Sequence, residues 1–461
     1  MVFSSYLFLF FFLTLLLTLY FLLPPRCRGA RNALLLAFSL FFYLCGGPKY
    51  LLLMLLSIVV NYVFGLLCAS RRPWTLWAAA AANLLLLGWF KYAAFFAQLL
   101  NDLRLPVPVP EIVLPVGISF FTFQGLSYVI DVYRGEAAVE RSLLRVALYI
   151  SLFPQLVAGP IVRYTTVAGE LSQRRESLDD FAAGALRFTF GLGKKMLLAN
   201  NLGLMADEVF GTLSLSASVA WLGALAYTGQ IYFDFSGYSD MAIGLGRMFG
   251  FHFEENFNYP YLSRSITEFW RRWHMSLSGW FRDYVYIPLG GSRCGTAKQI
   301  RNVAAVWLLT GLWHGAAWNF VLWGAYFGAL LLGERFVWRR ALDRAPGWAR
   351  HLYAILLVIL GWVLFRCESL TALGAYLTAM FTPGQGIPGQ SIYLLKQYGF
   401  FLLAGLLASL PVKVWAEDAL RRRNQEALLC WGPAVLGLVL LGLSFLQLIS
   451  STFNPFIYYR F

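Results

Sequence analysis

The sequence predicts an all-α polytopic membrane protein with about 11–12 transmembrane helices and additional interfacial and re-entrant helices. Of its 461 residues, 59% are hydrophobic and 13% are charged, whereas soluble domains carry about 25% charged residues. Apolar runs of about 20 residues, the length that crosses a hydrocarbon core, recur along the chain. These runs do not alternate between polar and apolar side chains, as the strands of a membrane β-barrel do.

The apolar runs are the candidate membrane spans, and they lie at 5–23, 50–68, 76–90, 214–233, 351–365 and 431–450. No basic segment precedes the first run and no small-residue cleavage site follows it, so we expect a retained span rather than a signal peptide. We expect one transmembrane domain over 1–461, with N-terminal spans in 1–110, a catalytic core in 111–335 and C-terminal spans in 336–461.

The net charge of +14 is carried by short basic loops between the runs. They contain Arg26, Arg28 and Arg31; Arg71 and Arg72; Arg134, Arg141 and Arg145; and Arg174, Arg175, Lys194 and Lys195. This is the distribution of the positive-inside rule. We therefore expect these loops and the segments 262–300 and 412–430 in the cytoplasm, both termini outside, and lipids rather than nucleic acid as the surroundings.

The longest polar-rich stretch, 251–301, contains the motif FWRRWHMSLSGWFRDYVYIPLGG. Its apolar and charged residues recur with helical period on opposite sides, which predicts one amphipathic helix over 266–284 at the membrane–water interface. His274 would lie at the edge of the aromatic face near Trp270, either as a plain interfacial residue or as part of a site. On the opposite face, Arg271, Arg272 and Arg282 would pair with an anionic substrate that donates a group, or would hold lipid head groups.

His314 lies in an uncharged run of 32 residues between Asn302 and Gly333, too long for one span and short for two. A single crossing would place the arginines after it outside, against the positive-inside rule. We therefore expect two short, glycine-interrupted segments meeting near mid-depth, where irregular backbone survives only beside a cavity.

In that arrangement His314 would face a narrow channel flanked by Trp313 and Trp318, and Asn319 would orient or hydrogen-bond within it. The alternative is a neutral histidine bonded to a backbone carbonyl.

The chain contains no HExxH, phosphate-binding glycine loop, GxSxG or CxxC motif, and its six cysteines are scattered. This leaves histidine as a general base without an obvious protein nucleophile. A neutral imidazole in a dry site would take the proton of a hydroxyl acceptor as that oxygen attacks a thioester. A transporter and a scaffold for a secretion complex are the alternatives, but the inverted repeats of a transporter are not detected.

Two motifs carry a resemblance to a known family. FWRRWHMSLSGWFRDYVYIPLGG and TGLWHGAAWNFVLWG resemble the paired signature of the membrane-bound O-acyltransferase family. Four stretches resemble its bacterial alginate O-acetyltransferase-like branch, namely LPVGISFFTFQGLSYVIDVYRG, FPQLVAGPIVRY, QIYFDFSGYSDMAIGLGRMFGF and FNPFIYYRF. The resemblance implies helices curved around a central tunnel, with His314 as the catalytic base and His274 as a second histidine that is catalytic or donor-binding.

The resemblance also implies the reaction. An acyl group, in this branch acetyl, would pass from cytoplasmic acetyl-CoA or an acyl carrier protein toward hydroxyls of an extracytoplasmic polysaccharide. Periplasmic or extracellular relay proteins would be partners, the location would be the bacterial cytoplasmic membrane, and neither a permanently bound cofactor nor a metal is expected. D-alanyl or other acyl transfer to teichoic acid or peptidoglycan is the alternative.

The expected substrate-binding residues are Trp313, Asn319, Trp270, Arg271, Arg272, Arg282, Asp234 and Asp240. The two aspartates fall in or near a predicted span and either line the tunnel or make structural hydrogen bonds.

Overall fold

A computed structural model of the chain describes residues 1–157, 159–212, 214–383, 386–450 and 456–457. These residues form helices joined by loops, without a β-strand among them, and the predicted all-α membrane class is confirmed. Within this part of the chain, the helices long and apolar enough to cross a membrane are Pro48–Cys68, Pro73–Asp102, Gly347–Arg366, Gln390–Ala408 and Glu426–Ser450. Leu7–Leu22 and Leu370–Phe381 are shorter apolar helices. The crossing number of about 11–12 stays a prediction.

The described chain divides into two compact units, of which the first comprises Met1–Phe188 and Ser239–Glu254. Its helices are α1 (Thr14–Leu22), α2 (Arg28–Leu44), α3 (Pro48–Cys68), α4 (Pro73–Asp102), α5 (Ile118–Arg134), α6 (Leu143–Ser151), α7 (Phe153–Leu156), α8 (Tyr164–Gln173) and the start of α9 (Leu178–Gly193). Asn61 of α3 and Asn83 of α4 exchange amide hydrogen bonds of 3.1 and 3.0 Å. Paired amides satisfy each other where lipid offers no partner.

A buried ion cluster ties the loop after α8 to α2 in this unit. The Glu176 carboxylate accepts hydrogen bonds from Arg28 and forms an ion pair with Arg31 at 3.1 Å. Burial by itself would raise the pKa of Glu176, but the hydrogen bond from Arg28 and the charges around it lower the pKa to about 2. The carboxylate is therefore ionised at neutral pH.

The second unit comprises Thr189–Tyr238 and Glu255–Phe461. Its helices are α10 (Asn200–Phe210), most of α11 (Ala217–Met248), α12 (Ile266–Arg272), α13 (Met275–Phe281), α14 (Thr296–His314), α15 (Trp318–Phe336), α16 (Arg339–Arg344), α17 (Gly347–Arg366), α18 (Leu370–Phe381), α19 (Gln390–Ala408), α20 (Val412–Arg422) and α21 (Glu426–Ser450). The expected division of the domain at residues 110 and 335 stays a prediction. Of the closing motif 453–461, all but 456–457 lie outside the described residues.

The run around His314 forms two helices with a break between them, as predicted, but they are longer than the short segments expected, and their meeting near mid-depth stays a prediction. α14 and α15 have 19 residues each, because both extend beyond the uncharged run, and they are separated by residues 315–317. Their backbones approach closely at two glycines. A Cβ on Gly311 would lie 2.4 Å from the Phe320 carbonyl oxygen, and one on Gly324 would lie 2.3 Å from the Trp307 carbonyl oxygen. Small residues at such crossings allow tight helix packing.

The prediction of a single helix over 266–284 is wrong. α12 and α13 are separated by Trp273 and His274, and the latter adopts a left-handed backbone with φ +44°. A residue in that conformation interrupts a right-handed helix. A π-helical turn, Arg282–Tyr286, follows α13.

The prediction that the aromatic face of this segment lies toward the membrane–water interface is wrong as well. Trp270 and Trp273 are 8% and 2% exposed. Their ring centroids lie 4.7 Å from those of Trp307 and Trp362, respectively. The face packs against other helices of the same unit, because helical period identifies an apolar side but not what covers it.

Candidate active site

His314 is the last residue of α14 and is enclosed by aromatic rings. Its side chain is 4% exposed, and its ring centroid lies 4.9 Å from that of Trp323 and 5.3 Å from that of Phe365. Gly315, the next residue, lets Phe320 approach, because a Cβ there would lie 2.2 Å from the Phe320 ring. This packing excludes water from the imidazole, and charge interactions are stronger in such surroundings than in water.

His274 lies in the break between α12 and α13, where Asn256 holds it. The Asn256 side-chain oxygen accepts hydrogen bonds from the Ser276 backbone N–H at 3.3 Å and from the Ser276 hydroxyl at 2.9 Å. Because a backbone N–H can only donate, the atom facing this group is the amide oxygen. His274 Nδ1–H therefore donates to the same oxygen, at 3.1 Å.

This hydrogen bond fixes the tautomer of His274. With the proton on Nδ1, the lone pair of the neutral ring lies on Nε2. That atom is buried and has no hydrogen-bond partner among the described residues. Burial lowers the pKa of His274 to about 3, so the ring is neutral near pH 7 and Nε2 can accept a hydrogen bond.

A row of ring contacts joins the two histidines. The ring centroid of Trp313 lies 5.9 Å from that of His274 and 5.0 Å from that of His314. Phe365 continues the row on the other side of His314. Each end of the row reaches a cavity, one lined by His274 and the other lined by Phe365.

The cavity beside His274, here called the arginine-rich cavity, has a volume of about 760 Å³. Trp270 and Thr310 are also on its wall. Its cationic lining residues are Arg264, Arg271, Arg282, Arg335, Arg339 and Arg350, and its acidic ones are Glu268, Glu334 and Asp343. Six cations against three acids make the cavity attractive to anions.

The cavity beside Phe365, here called the small cavity, has a volume of about 280 Å³. Its lining residues are Asp207, Tyr227, Gln230, Ala317, Asn319, Phe320, Phe365, Arg366, Glu368 and Ile457. It therefore takes its wall from the turn of the α14–α15 hairpin and from the residues around the end of α17. Two acids and one cation among the described lining residues give it the opposite charge balance.

Four of the eight predicted substrate-binding residues line these cavities. Trp270, Arg271 and Arg282 line the arginine-rich cavity, and Asn319 lines the small one. Trp313 lines neither but contacts both histidine rings. His314 is likewise absent from both linings and lies one ring away from the small cavity, so the expectation that it faces a cavity stays a prediction.

Arg272 and Trp318 lie outside both cavity linings. Arg272 does not line the arginine-rich cavity, because its guanidinium pairs with Glu268 at 2.9 Å and donates to the Asn258 carbonyl at 3.2 Å. Trp318 is 51% exposed, and its expected position beside a channel stays a prediction.

The two aspartates predicted as tunnel residues both form ion pairs. Asp234 is 1% exposed, and its carboxylate lies 2.7 Å from Lys195 Nζ. It also accepts a hydrogen bond of 2.8 Å from the Ile457 backbone N–H. Asp240, in the first unit, pairs with Arg187 at 2.9 Å. These contacts favour the structural alternative for both residues.

Sequence reasoning missed the residues that position the two short helices. Asn256 lies in the loop FHFEENFNYP, where no periodic pattern distinguishes it. Glu334 of α15 accepts hydrogen bonds from the backbone N–H groups of Ile266 and Thr267, at 2.6 and 2.9 Å. It thereby caps the start of α12, whose amides have no partner within the helix. Only the fold brings these pairs together, across 68 residues in the case of Ile266.

Comparisons with known proteins show the family of the chain. The model of the membrane-bound O-acyltransferase family matches residues 40–376. A probable alginate O-acetylase of Azotobacter vinelandii is 47% identical over 399 residues, covering 83% of this chain and 79% of the relative. One from Pseudomonas aeruginosa is 45% identical and covers 83% and 75%. A peptidoglycan O-acetyltransferase of Helicobacter pylori is 32% identical and covers 100% and 98%.

Proposed function

Because the chain belongs to the membrane-bound O-acyltransferase family and is a multi-pass membrane enzyme of that class, we propose that it transfers an acetyl group between its two cavities. The thioester donor binds in the arginine-rich cavity, and the hydroxyl acceptor enters from the small cavity. The carrying observation is the row of rings between them, in which His314 lies in contact with Phe365 and Trp313.

In the proposed reaction His314 acts as the general base. The acceptor hydroxyl oxygen attacks the thioester carbonyl carbon while its proton passes to the imidazole, and the carbon–sulfur bond breaks as the ester bond forms. The leaving thiolate then takes up a proton. His314 ends α14, and the C-terminal end of a helix carries partial negative charge that stabilises a nearby imidazolium.

The donor assignment rests on charge and on His274. Coenzyme A and the phosphopantetheine arm of a carrier protein both carry phosphate, which the excess of arginines attracts. His274 lines this cavity and its buried Nε2 has no hydrogen-bond partner among the described residues, which suits a hydrogen bond from the amide groups of the donor arm. By the positive-inside rule, this arginine-rich side is cytoplasmic.

The acceptor assignment rests on the relatives. Alginate and peptidoglycan, the substrates in the names of three relatives, lie outside the cytoplasmic membrane and bear hydroxyls. We place this chain in a bacterial cytoplasmic membrane, where it delivers acetyl groups toward such a polymer, directly or through relay proteins. Acetyl is favoured over D-alanyl because these acetylating relatives match most of the chain.

The test is His314→Gln in protein reconstituted into vesicles, supplied in separate assays with acetyl-CoA and with an acetylated acyl carrier protein. Loss of a general base lowers turnover about 10²- to 10⁴-fold, whereas binding of a thioether analogue of the donor stays unchanged. His351→Gln is the matched control, since His351 lines neither cavity. Normal transfer by the His314 variant would exclude the base assignment. Transport of a solute without donor cleavage would support the transporter alternative.

A further inference from the structure

The charges of the small cavity bear on which acceptors it admits. Among the described lining residues the cationic side chain is Arg366, whose guanidinium forms an ion pair with Asp207 and lies over the rings of Phe210 and Tyr227, while its buried Nε–H has no hydrogen-bond partner in the described part of the chain. The remaining charged side chain is the exposed carboxylate of Glu368. An anion entering this cavity would meet Glu368 without an uncompensated cation among the described lining residues, whereas a neutral molecule would not be repelled.

Two side-chain amides of the cavity wall each carry a hydrogen-bond acceptor without a donor in the described part of the chain. Gln230 and Asn319 are 5% and 4% exposed, and the amide oxygen of each is buried without a hydrogen-bond partner among the described residues. The Asn319 side-chain nitrogen donates to the Phe365 carbonyl at 3.2 Å, which leaves its oxygen as the open end. A buried acceptor without a donor is costly, and a hydroxyl group supplies the missing donor.

The small cavity, at about 280 Å³, has room for one sugar ring or one hydroxyl-bearing side chain.

We infer that the small cavity selects an uncharged hydroxyl acceptor, which donates hydrogen bonds to Gln230 and Asn319, and that Glu368 excludes anionic acceptors. This inference rests on the proposed function. A uronic acid polymer would then not be the direct acceptor, and the acetyl group would first pass to a neutral hydroxyl, either of a sugar or of a protein side chain.

The test compares acceptor probes with purified protein in vesicles and acetyl thioester in excess. Methyl glucoside is compared with the methyl glycoside of glucuronic acid, which differs by one carboxylate. N-acetylserine methylamide distinguishes a protein hydroxyl from a sugar hydroxyl as the preferred neutral source. We expect kcat/KM to be at least about 10-fold higher for the neutral glycoside, with a preference that weakens as salt rises.

Variants separate the contributions to this preference. Glu368→Lys should lower the ratio of kcat/KM for the neutral glycoside to that for the anionic one about 5-fold or more. Glu426→Lys, the same change outside both cavities, should leave this ratio unaltered. Asn319→Leu and Gln230→Leu should raise KM for the neutral acceptor without changing KM for the donor.

The outcomes distinguish this inference from the proposed function. Equal use of the neutral and anionic glycosides by the wild-type protein, or a preference that Glu368→Lys does not move, would overturn the inference. If transfer to the probes still depends on His314 in that case, the proposed function stands. Transfer independent of His314 would overturn the proposed function instead.

Discussion

The two cavities of the second unit differ in size and in charge, although both take part of their wall from the same hairpin. The arginine-rich cavity lies along the stems of α14 and α15, near Trp307 and Glu334, and the small cavity lies at their turn, near Ala317. His314 occupies the boundary, at the end of α14. The break of the hairpin, next to the proposed general base, thus separates two chemically different cavities.

The largest effect is expected from separating the two helices. In Gly324→Val the added Cβ would lie 2.3 Å from the Trp307 carbonyl oxygen, a backbone atom that cannot rotate away. The shift displaces His314 relative to both cavities, and a displacement of about 1 Å can lower catalysis about 100-fold. Acetyl transfer and folded yield are measured together. Gly442→Val in α21, where no atom lies within 4 Å of the added Cβ, is the control and should retain activity.

A smaller loss, about 10-fold in kcat/KM for the donor, is expected from Asn256→Ala. The change removes the oxygen that holds His274 Nδ1 and so frees the ring to change tautomer and orientation. Steady-state kinetics with a varied donor concentration would measure the loss. Asn258→Ala alters an exposed neighbour in the same loop and should act like the wild type. Equal losses in both variants would show that the loop, rather than His274, is responsible.

A change of about 3- to 5-fold in donor KM is expected from Arg271→Gln, because one exposed charge pair contributes at most about 1 kcal/mol. Arg271 lines the arginine-rich cavity. Arg272→Gln removes the same charge one residue later but outside the lining, and should change donor KM less. Measurements at two ionic strengths would show whether the Arg271 effect is screened by salt. The reverse ranking would move the donor away from this cavity.

The smallest effect on the two cavities is expected from changing Glu176, which lies in the first unit. The folded-state pKa of Glu176 is about 2, below its ordinary value of 4.5, so its stabilising contribution is present above about pH 4.5 and is lost as pH falls toward 2. Protonation of Glu176 should therefore leave the Tm unchanged between pH 7 and pH 5. Glu176→Gln should weaken the acid-induced fall in Tm, unlike Glu136→Gln at an exposed site. Neither variant should alter donor KM relative to acceptor KM.

The parts of the fold that depend on local patterns were predictable from the sequence. Long apolar runs gave the spans at 48–68 and 347–366 almost to the residue, because lipid requires a continuous apolar length. The hairpin around His314 followed from two facts visible in the sequence, the excess length of the uncharged run and the arginines after it.

The rest depends on contacts that no local pattern records. The break at His274 needs a left-handed residue in a segment whose helical period is uninterrupted. Neighbours one residue apart, Arg271 and Arg272, have different surroundings only because Glu268 and the chain at Asn258 bind the second. The small cavity is lined by residues of α10, α11, α15 and the end of α17, and only the tertiary fold brings these elements together.

The most direct test of the account fills each cavity separately. Ser278→Trp would occupy the arginine-rich cavity and Ala317→Trp the small one. Binding of a thioether analogue of acetyl-CoA and transfer to a neutral hydroxyl probe would be measured for both variants. We predict that Ser278→Trp loses donor binding and transfer, whereas Ala317→Trp keeps donor binding and loses only transfer. Loss of donor binding in Ala317→Trp alone, or unchanged transfer in both, would contradict the division of donor and acceptor between the two cavities.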